Sequence, residues 1–182
     1  MGNIAVHEFT TLDGVIDAPT WTFDFGFDPQ MGTAIAGVMG SCKGLLLGHN
    51  TFDMFAPAWS ARTVAEDPGA PFMNESTKYV VGSRPLSVEW NNSRSLGPYS
   101  KDAIRELKDR TEGGLYVSGS GTLVRAMLAD SLVDELHLFV FPLTIGTGPR
   151  LFPDGQPPAK FTLAHSEAYG NGVLYLSYRP VH

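Results

Sequence analysis

Three short apolar runs that end at glycine restrict the fold more than anything else in this sequence. They are Leu45-Leu46-Leu47 before Gly48, Tyr79-Val80-Val81 before Gly82, and Leu115-Tyr116-Val117 running into Gly119. Consecutive apolar residues in a strand face both sides of a sheet, so such strands need cover on both faces, as in parallel sheets layered with helices. The closing segment differs. Leu174, Leu176 and Tyr178 alternate, and the turn pair Asn171-Gly172 precedes them, so residues 161–168 and 173–178 are expected to form an antiparallel hairpin. The chain is therefore expected to be α/β, with a mixed, mostly parallel central sheet.

The remaining elements follow from local chemistry. Residues 3–11 form a first strand ending at the turn pair Asp13-Gly14. Asp28 followed by Pro29 opens a helix over 28–39, because Asp accepts from exposed first-turn N–H groups and proline suits the first helical position. Strands are expected at 43–48, 79–82, around 88–90, at 115–117 and over 136–145. Short helices are expected at 51–55, stopped near Pro57, at 100–111 with Ser100 as cap, and at 122–129.

Composition enters by what it excludes. A formal charge of −6 argues against broad binding to nucleic-acid phosphates. The single Cys42 rules out an intramolecular disulfide framework and multi-cysteine zinc patterns. Neither a signal-like N-terminus nor an apolar run of about 18 residues is found, so no membrane association and a cytoplasmic location are expected. No repeat or composition shift divides residues 1–182, which read as one domain.

In open α/β sheets, ligands collect at the carboxyl ends of strands, where glycine turns and helix N-termini offer free N–H groups. Three such ends stand out. Gly119-Ser120-Gly121-Thr122-Leu123 suits a diphosphate, or is simply a tight turn. Gly48-His49-Asn50-Thr51 offers a hydroxyl and N–H groups, or merely a helix start. Ser83-Arg84 places a guanidinium, which can fork onto two phosphate oxygens, just after a strand. No G-x-G-x-x-G, Walker loop, G-x-S-x-G or H-E-x-x-H is present, and the histidines, His7, His49, His137, His165 and His182, suggest no metal site.

The ordered segments Thr11-Leu12-Asp13-Gly14-Val15-Ile16, Gly48-His49-Asn50-Thr51-Phe52, Lys78-Tyr79-Val80-Val81, Gly119 to Leu123 and Leu132-Val133-Asp134-Glu135-Leu136, with Pro142, Gly146, Gly148 and Leu151-Phe152, resemble the dihydrofolate reductase-like superfamily. Within it, the chain is most similar to the C-terminal reductase domain of the bifunctional riboflavin-biosynthesis deaminase/reductase and its stand-alone relatives. That resemblance implies a three-layer fold on about eight strands, NADPH as hydride donor, a small C=N or C=O heterocyclic or sugar-type substrate, and a homodimer. It implies that Gly48, His49 and Thr51 face the adenosine and phosphate end of the cofactor, with Ser83 and Arg84 near the 2′-phosphate. Gly119, Ser120, Gly121, Thr122 and Leu123 would hold the diphosphate, and Phe9 and Ile16 would approach the nicotinamide.

For catalysis, Asp13 in the Leu-Asp-Gly turn is the first candidate acid or orienting group, or else only shapes its loop; Asp28 is the second. A general acid near neutral pH would need a raised pKa. His49 stands where the superfamily often has arginine, which leaves NADPH against NADH open. The segment 21–28 departs from the folate pattern, and its Trp21, Phe23, Phe25 and Phe27 either line a flat-ligand pocket or lid, or cover a sheet edge or dimer contact. No zinc deaminase motif occurs. A non-catalytic nucleotide- or heterocycle-binding dimer, or a flavin-binding enzyme, are the rival readings.

Overall fold

The structure, a computed structural model, describes residues 2–17 and 19–181. Its strands are β1 (Asn3–Thr11), β2 (Cys42–Gly48), β3 (Thr77–Val81), β4 (Ser93–Gly97), β5 (Gly114–Ser118), β6 (Glu135–Phe141), β7 (Phe161–Ala168) and β8 (Leu174–Pro180). They form one eight-stranded sheet in the order β4-β3-β2-β5-β1-β6-β8-β7. The first six pair in parallel, so their carboxyl ends share one edge. β8 runs antiparallel to both β6 and β7. The expected architecture is the one found.

Side-chain alternation explains the layering. On one face, Ile4 and Val6 of β1 pack with Leu115 and Val117 of β5 against helices α4 (Lys101–Arg110) and α5 (Gly121–Ala129). On the other, Ala5, Leu45 and Leu47 meet α1 (Pro29–Gly40), α2 (His49–Trp59) and α3 (Ala70–Glu75). Ile4, Leu45, Leu46, Leu47 and Leu115 are fully buried, each such side chain contributing about 1.5–3 kcal/mol. A third cluster under α1 is largely aromatic, built from Phe139, Phe141, Tyr169 and Tyr175 with Phe9, Trp21 and Phe25 around it. The segment 132–136 is structural: an Asp134 carboxylate oxygen accepts from Ile4 N–H at 2.7 Å and pairs with Lys108. Among the described residues, no helix is long and apolar enough to cross a membrane.

Four local expectations are corrected. The strand expected near 88–90 lies at β4, because Trp90 is buried as a plug against Phe52 and under the Lys78 ammonium, and the chain reverses at Asn92, φ 58°, before pairing begins. α2 continues past Pro57 to Trp59; Phe52 and Ala56 are both buried one turn apart, and the Asn74 amide holds the Trp59 carbonyl at 2.9 Å. α3 was not anticipated, and β6 stops at Phe141 rather than near residue 145. The terminal hairpin is present, but Ala168 pairs with Leu174, so its connection is residues 169–173, with Gly172 left-handed at φ 86°. That is a longer loop than the Asn-Gly pair alone requires.

Candidate functional site

β2 delivers the chain to α2 on one face of the sheet, while its neighbour β5 delivers it to α5 on the other. Adjacent strands whose exits part in this way leave a crevice between their carboxyl ends. The two expected glycine turns meet there. Ser120 Oγ accepts from Gly48 N–H at 2.9 Å, and Ser120 N–H donates to Thr51 Oγ1 at 3.1 Å. Gly119, φ 61°, and Ser120, φ 60°, are both left-handed, and a β-carbon on Gly119 would sit 3.4 Å from the Thr51 methyl. Neither α2 nor α5 has a side chain capping its first turn. The N–H groups at the start of each helix, including Gly121, Thr122 and Leu123 of α5, therefore have no intrahelical acceptor.

Next to this crevice, beyond β3, lies a polar cluster. Arg84 Nη2 donates to Asn50 Oδ1 at 3.0 Å and Asp53 Oδ2 at 3.2 Å, while His49 Nε2 lies 3.5 Å from Asp53 Oδ1. His49 is buried against Gly82: a β-carbon there would fall 2.7 Å from that of His49, so only glycine lets β3 approach α2 this closely. Ser83 and Arg84 are exposed. Thr51, Ser120 and Arg84 thus belong to one continuous strip.

On the other side of β5, β1 ends in Phe9 and Thr11. Phe9 meets His7, Phe139 and Phe141 edge to face, on the α1 side of the sheet. Ile16 lies over Gly121, where a β-carbon would collide with it. Two groups that sequence reasoning passed over flank Phe9. His7 Nδ1 and the Tyr116 hydroxyl are 2.5 Å apart, and burial, then the neighbouring His137, pushes the imidazole down to about 3. Its Nε2 is buried without a partner. Glu8, 2% exposed, points to the α5 face; burial raises its carboxyl to about 8 against the pull of Arg125, and Oε1 has no partner. Both are neutral at pH 7. The available signal was a histidine and a glutamate directly after the apolar run Ile4-Ala5-Val6 of a strand expected to be buried.

The two candidate acids are occupied by local hydrogen bonds. Asp13 accepts from the Thr11 hydroxyl at 2.5 Å and from Ile145 and Gly146 N–H at 3.2 and 2.7 Å. These bonds, the hydroxyl first, hold its carboxyl at about 2. This is the reverse of what a general acid requires, and Asp13 instead pins the β1 turn to the 145–150 segment. Asp28 caps α1 through Gln30 N–H at 2.8 Å and receives Gly170 N–H at 3.2 Å. Among the described residues, which exclude His182, no group of three His, Cys, Asp or Glu could hold a metal ion.

Comparison with known proteins gives a consistent result. The RibD C-terminal domain family matches residues 3–175. The uncharacterized protein YyaP of Bacillus subtilis is 22% identical over 174 residues, 92% of this chain and 89% of that one. The crystal structure of a putative riboflavin biosynthesis protein from Shewanella sp. PV-4 superposes with a TM-score of 0.80 at 23% identity, over the full length of both chains. A diaminohydroxyphosphoribosylaminopyrimidine deaminase/5-amino-6-(5-phosphoribosylamino)uracil reductase from Thermotoga maritima gives 0.69 at 18% identity, over 99% of this chain and 57% of that one. Dihydrofolate reductase from Enterococcus faecalis, complexed with NADP(H), gives 0.63 at 16% identity, over 99% and 97%. The fold is dihydrofolate reductase-like.

Proposed function

The chain belongs to the RibD C-terminal domain family, and from that premise we propose that it is an NADPH-dependent reductase that delivers hydride to a small C=N or C=O compound. One observation carries this reading. The residues suited to each part of a dinucleotide lie on consecutive strand ends in the matching order: Arg84 after β3, Gly48 and Thr51 at β2, the Gly119 turn at β5, and Phe9 at β1. Three strand spacings amount to roughly 14 Å, the scale of one extended dinucleotide.

The residues fit the group. Two helix N-termini with free N–H groups, α2 and α5, converge where a diphosphate would lie, and both lack a competing side-chain cap. Arg84 supplies the cation suited to a 2′-phosphate, prealigned by Asn50 and Asp53. Ile16 and Phe9 give the nicotinamide end an apolar seat from which water is displaced. NADPH, when bound, supplies the hydride from its nicotinamide ring. The chain's task is then to hold donor and acceptor in register. Asp13 stays ionised and serves as an anchor for the turn beside that seat.

Titration with NADPH, followed by the fluorescence of the reduced cofactor, tests the reading. Saturable binding with a changed emission is expected. A protein that binds no NADPH, or that purifies yellow with flavin, would overturn it. Arg84→Ala should weaken NADPH by about tenfold or more, the loss of a charge-assisted phosphate contact, and leave NADH nearly unchanged. Equal losses for the two cofactors would remove the 2′-phosphate assignment.

A further inference from the structure

Arg84 enters the strip already engaged. Its Nη2 donates to Asn50 Oδ1 at 3.0 Å and to Asp53 Oδ2 at 3.2 Å, and among the described residues Nε and Nη1 make no bond. A guanidinium grips two oxygens of one phosphate through Nη2 together with either Nη1 or Nε, because only in those two pairs do the N–H bonds run side by side. Both Nη2 hydrogens are spent on α2. A phosphate that takes either fork must therefore displace Asn50 or Asp53.

The two occupants are not equivalent. Asn50 is exposed and neutral, so water replaces its bond to Arg84 and no charge is moved. Asp53 brings the same sign of charge that a phosphate would bring. Its side chain is 26% exposed against 60% for Arg84, so solvent screens the carboxylate less than it screens the guanidinium.

Asp53 also has a second partner within reach. His49 and Asp53 are one helical turn apart on α2, which puts them on one face. The Asp53 Oδ1 atom is buried without a hydrogen bond and lies 3.5 Å from His49 Nε2, which is buried and unpartnered as well. The imidazole is wedged against Gly82, so it stays in place. With its proton on Nε2 it can take the carboxylate that Arg84 lets go. The cluster thus has two arrangements, Asp53 on Arg84 or Asp53 on His49, and only the second leaves a fork open for phosphate.

We propose that Asp53 is a specificity-determining residue. It competes with the 2′-phosphate for the Arg84 guanidinium, and so holds the preference for NADPH over NADH below what Arg84 alone would give.

This inference rests on the reductase reading, and the test separates the two. Kd values for NADPH and NADH are measured side by side, by the fluorescence of the reduced cofactor, in the wild type and in Asp53→Asn, which keeps the shape and removes the charge. The ratio of the NADH Kd to the NADPH Kd should rise about threefold or more. A purely structural Asp53 would weaken both cofactors together, and a ratio that stays or falls overturns the inference. Asp53→Ala, with a stronger helix former at this position, should move the ratio in the same direction, and the opposite movement would equally refute it. A second arm starts from Arg84→Ala, in which Asp53 faces the phosphate unpaired. Adding Asp53→Asn to that variant should restore NADPH affinity by about threefold. A double variant that binds NADPH no better than Arg84→Ala would show that the carboxylate does not oppose the phosphate. Binding of neither cofactor by the wild type overturns the reductase reading and this inference with it, whereas an unmoved ratio in proteins that bind both overturns this inference alone.

Discussion

The carboxyl edge of the sheet has two halves that meet at β1, and they treat negative charge in opposite ways. On the β3-β2-β5 side, α2 and α5 begin without side-chain caps, and Ser120, a residue type that caps well, spends its hydroxyl oxygen on Gly48 N–H of the neighbouring loop. On the β1-β6-β8 side, α1 begins with the Asp28 carboxylate on its own first turn. A cap is in effect an internal anion. α1 has one built in, whereas α2 and α5 have none at the place where the proposed reading puts a phosphate, and they forgo about 1 kcal/mol of stability at each. The lesson is that a missing cap, next to a second missing cap across a crevice, carries more information than either glycine turn does alone.

The largest effect is expected from supplying that cap. Gly48 has φ −72° and ψ 151°, ordinary extended backbone, and a β-carbon there would touch Ser120 at only 3.6 Å, so the site accepts a side chain. Gly48→Asp should leave the thermal midpoint unchanged or slightly higher, because the new carboxylate caps α2. NADPH affinity should fall about a hundredfold, since an internal carboxylate replaces the phosphate at the same N–H groups and repels it. Calorimetric titration beside a melting curve measures both. Retained affinity in a folded Gly48→Asp protein would break the comparison between the two halves.

A smaller effect sits on the boundary itself. β1 pairs with β5 as far as His7 with Ser118, which sets Glu8 level with the Gly119 turn. The neutral state of Glu8 keeps a negative charge away from the side proposed to bind the diphosphate. Folding raises the Glu8 pKa from about 4.5 to about 8, so the native protein holds a proton that the unfolded chain releases, and stability falls as pH rises through that interval. His7 has the opposite sign: lowered from 6.5 to about 3, it costs stability as pH falls through its own interval. The two slopes oppose each other below pH 6.5, and Glu8 acts without that opposition from 6.5 to 8. Over that span the wild type should lose at most about 2 kcal/mol relative to Glu8→Gln. NADPH affinity should weaken several-fold above pH 8 in the wild type but not in the variant. Parallel pH profiles in the wild type and the Glu8→Gln variant would show that the boundary carries no titrating charge.

Much of this was legible before any coordinates. Apolar runs ending at glycine imply buried parallel strands wherever they occur, and turn residues such as Gly119 and Ser120 must lie at strand ends. What could not be read depends on distant partners. Asp13 looks like a free carboxylate in its tripeptide, and its fate is decided by the N–H groups of Ile145 and Gly146. Trp90 resembles a strand residue until Phe52 and Lys78 are brought against it. Asn50 and Asp53 sit on the helix that follows the Gly48 turn, but only the arrival of Arg84 from β3 makes them a cluster.

The smallest effect tests the capped half. Asp28→Ala removes the acceptor for Gln30 N–H at 2.8 Å and for Gly170 N–H at 3.2 Å, both in exposed surroundings where water replaces part of what is lost. The expected destabilisation is about 1 kcal/mol, seen as a shift in the urea midpoint at unchanged slope. NADPH affinity should not move, because α1 starts on the far side of β1 from the strip that ends at Arg84. If the same substitution instead weakened NADPH as strongly as it weakened the fold, the two halves would be one coupled surface, and the division at β1 would have no energetic meaning.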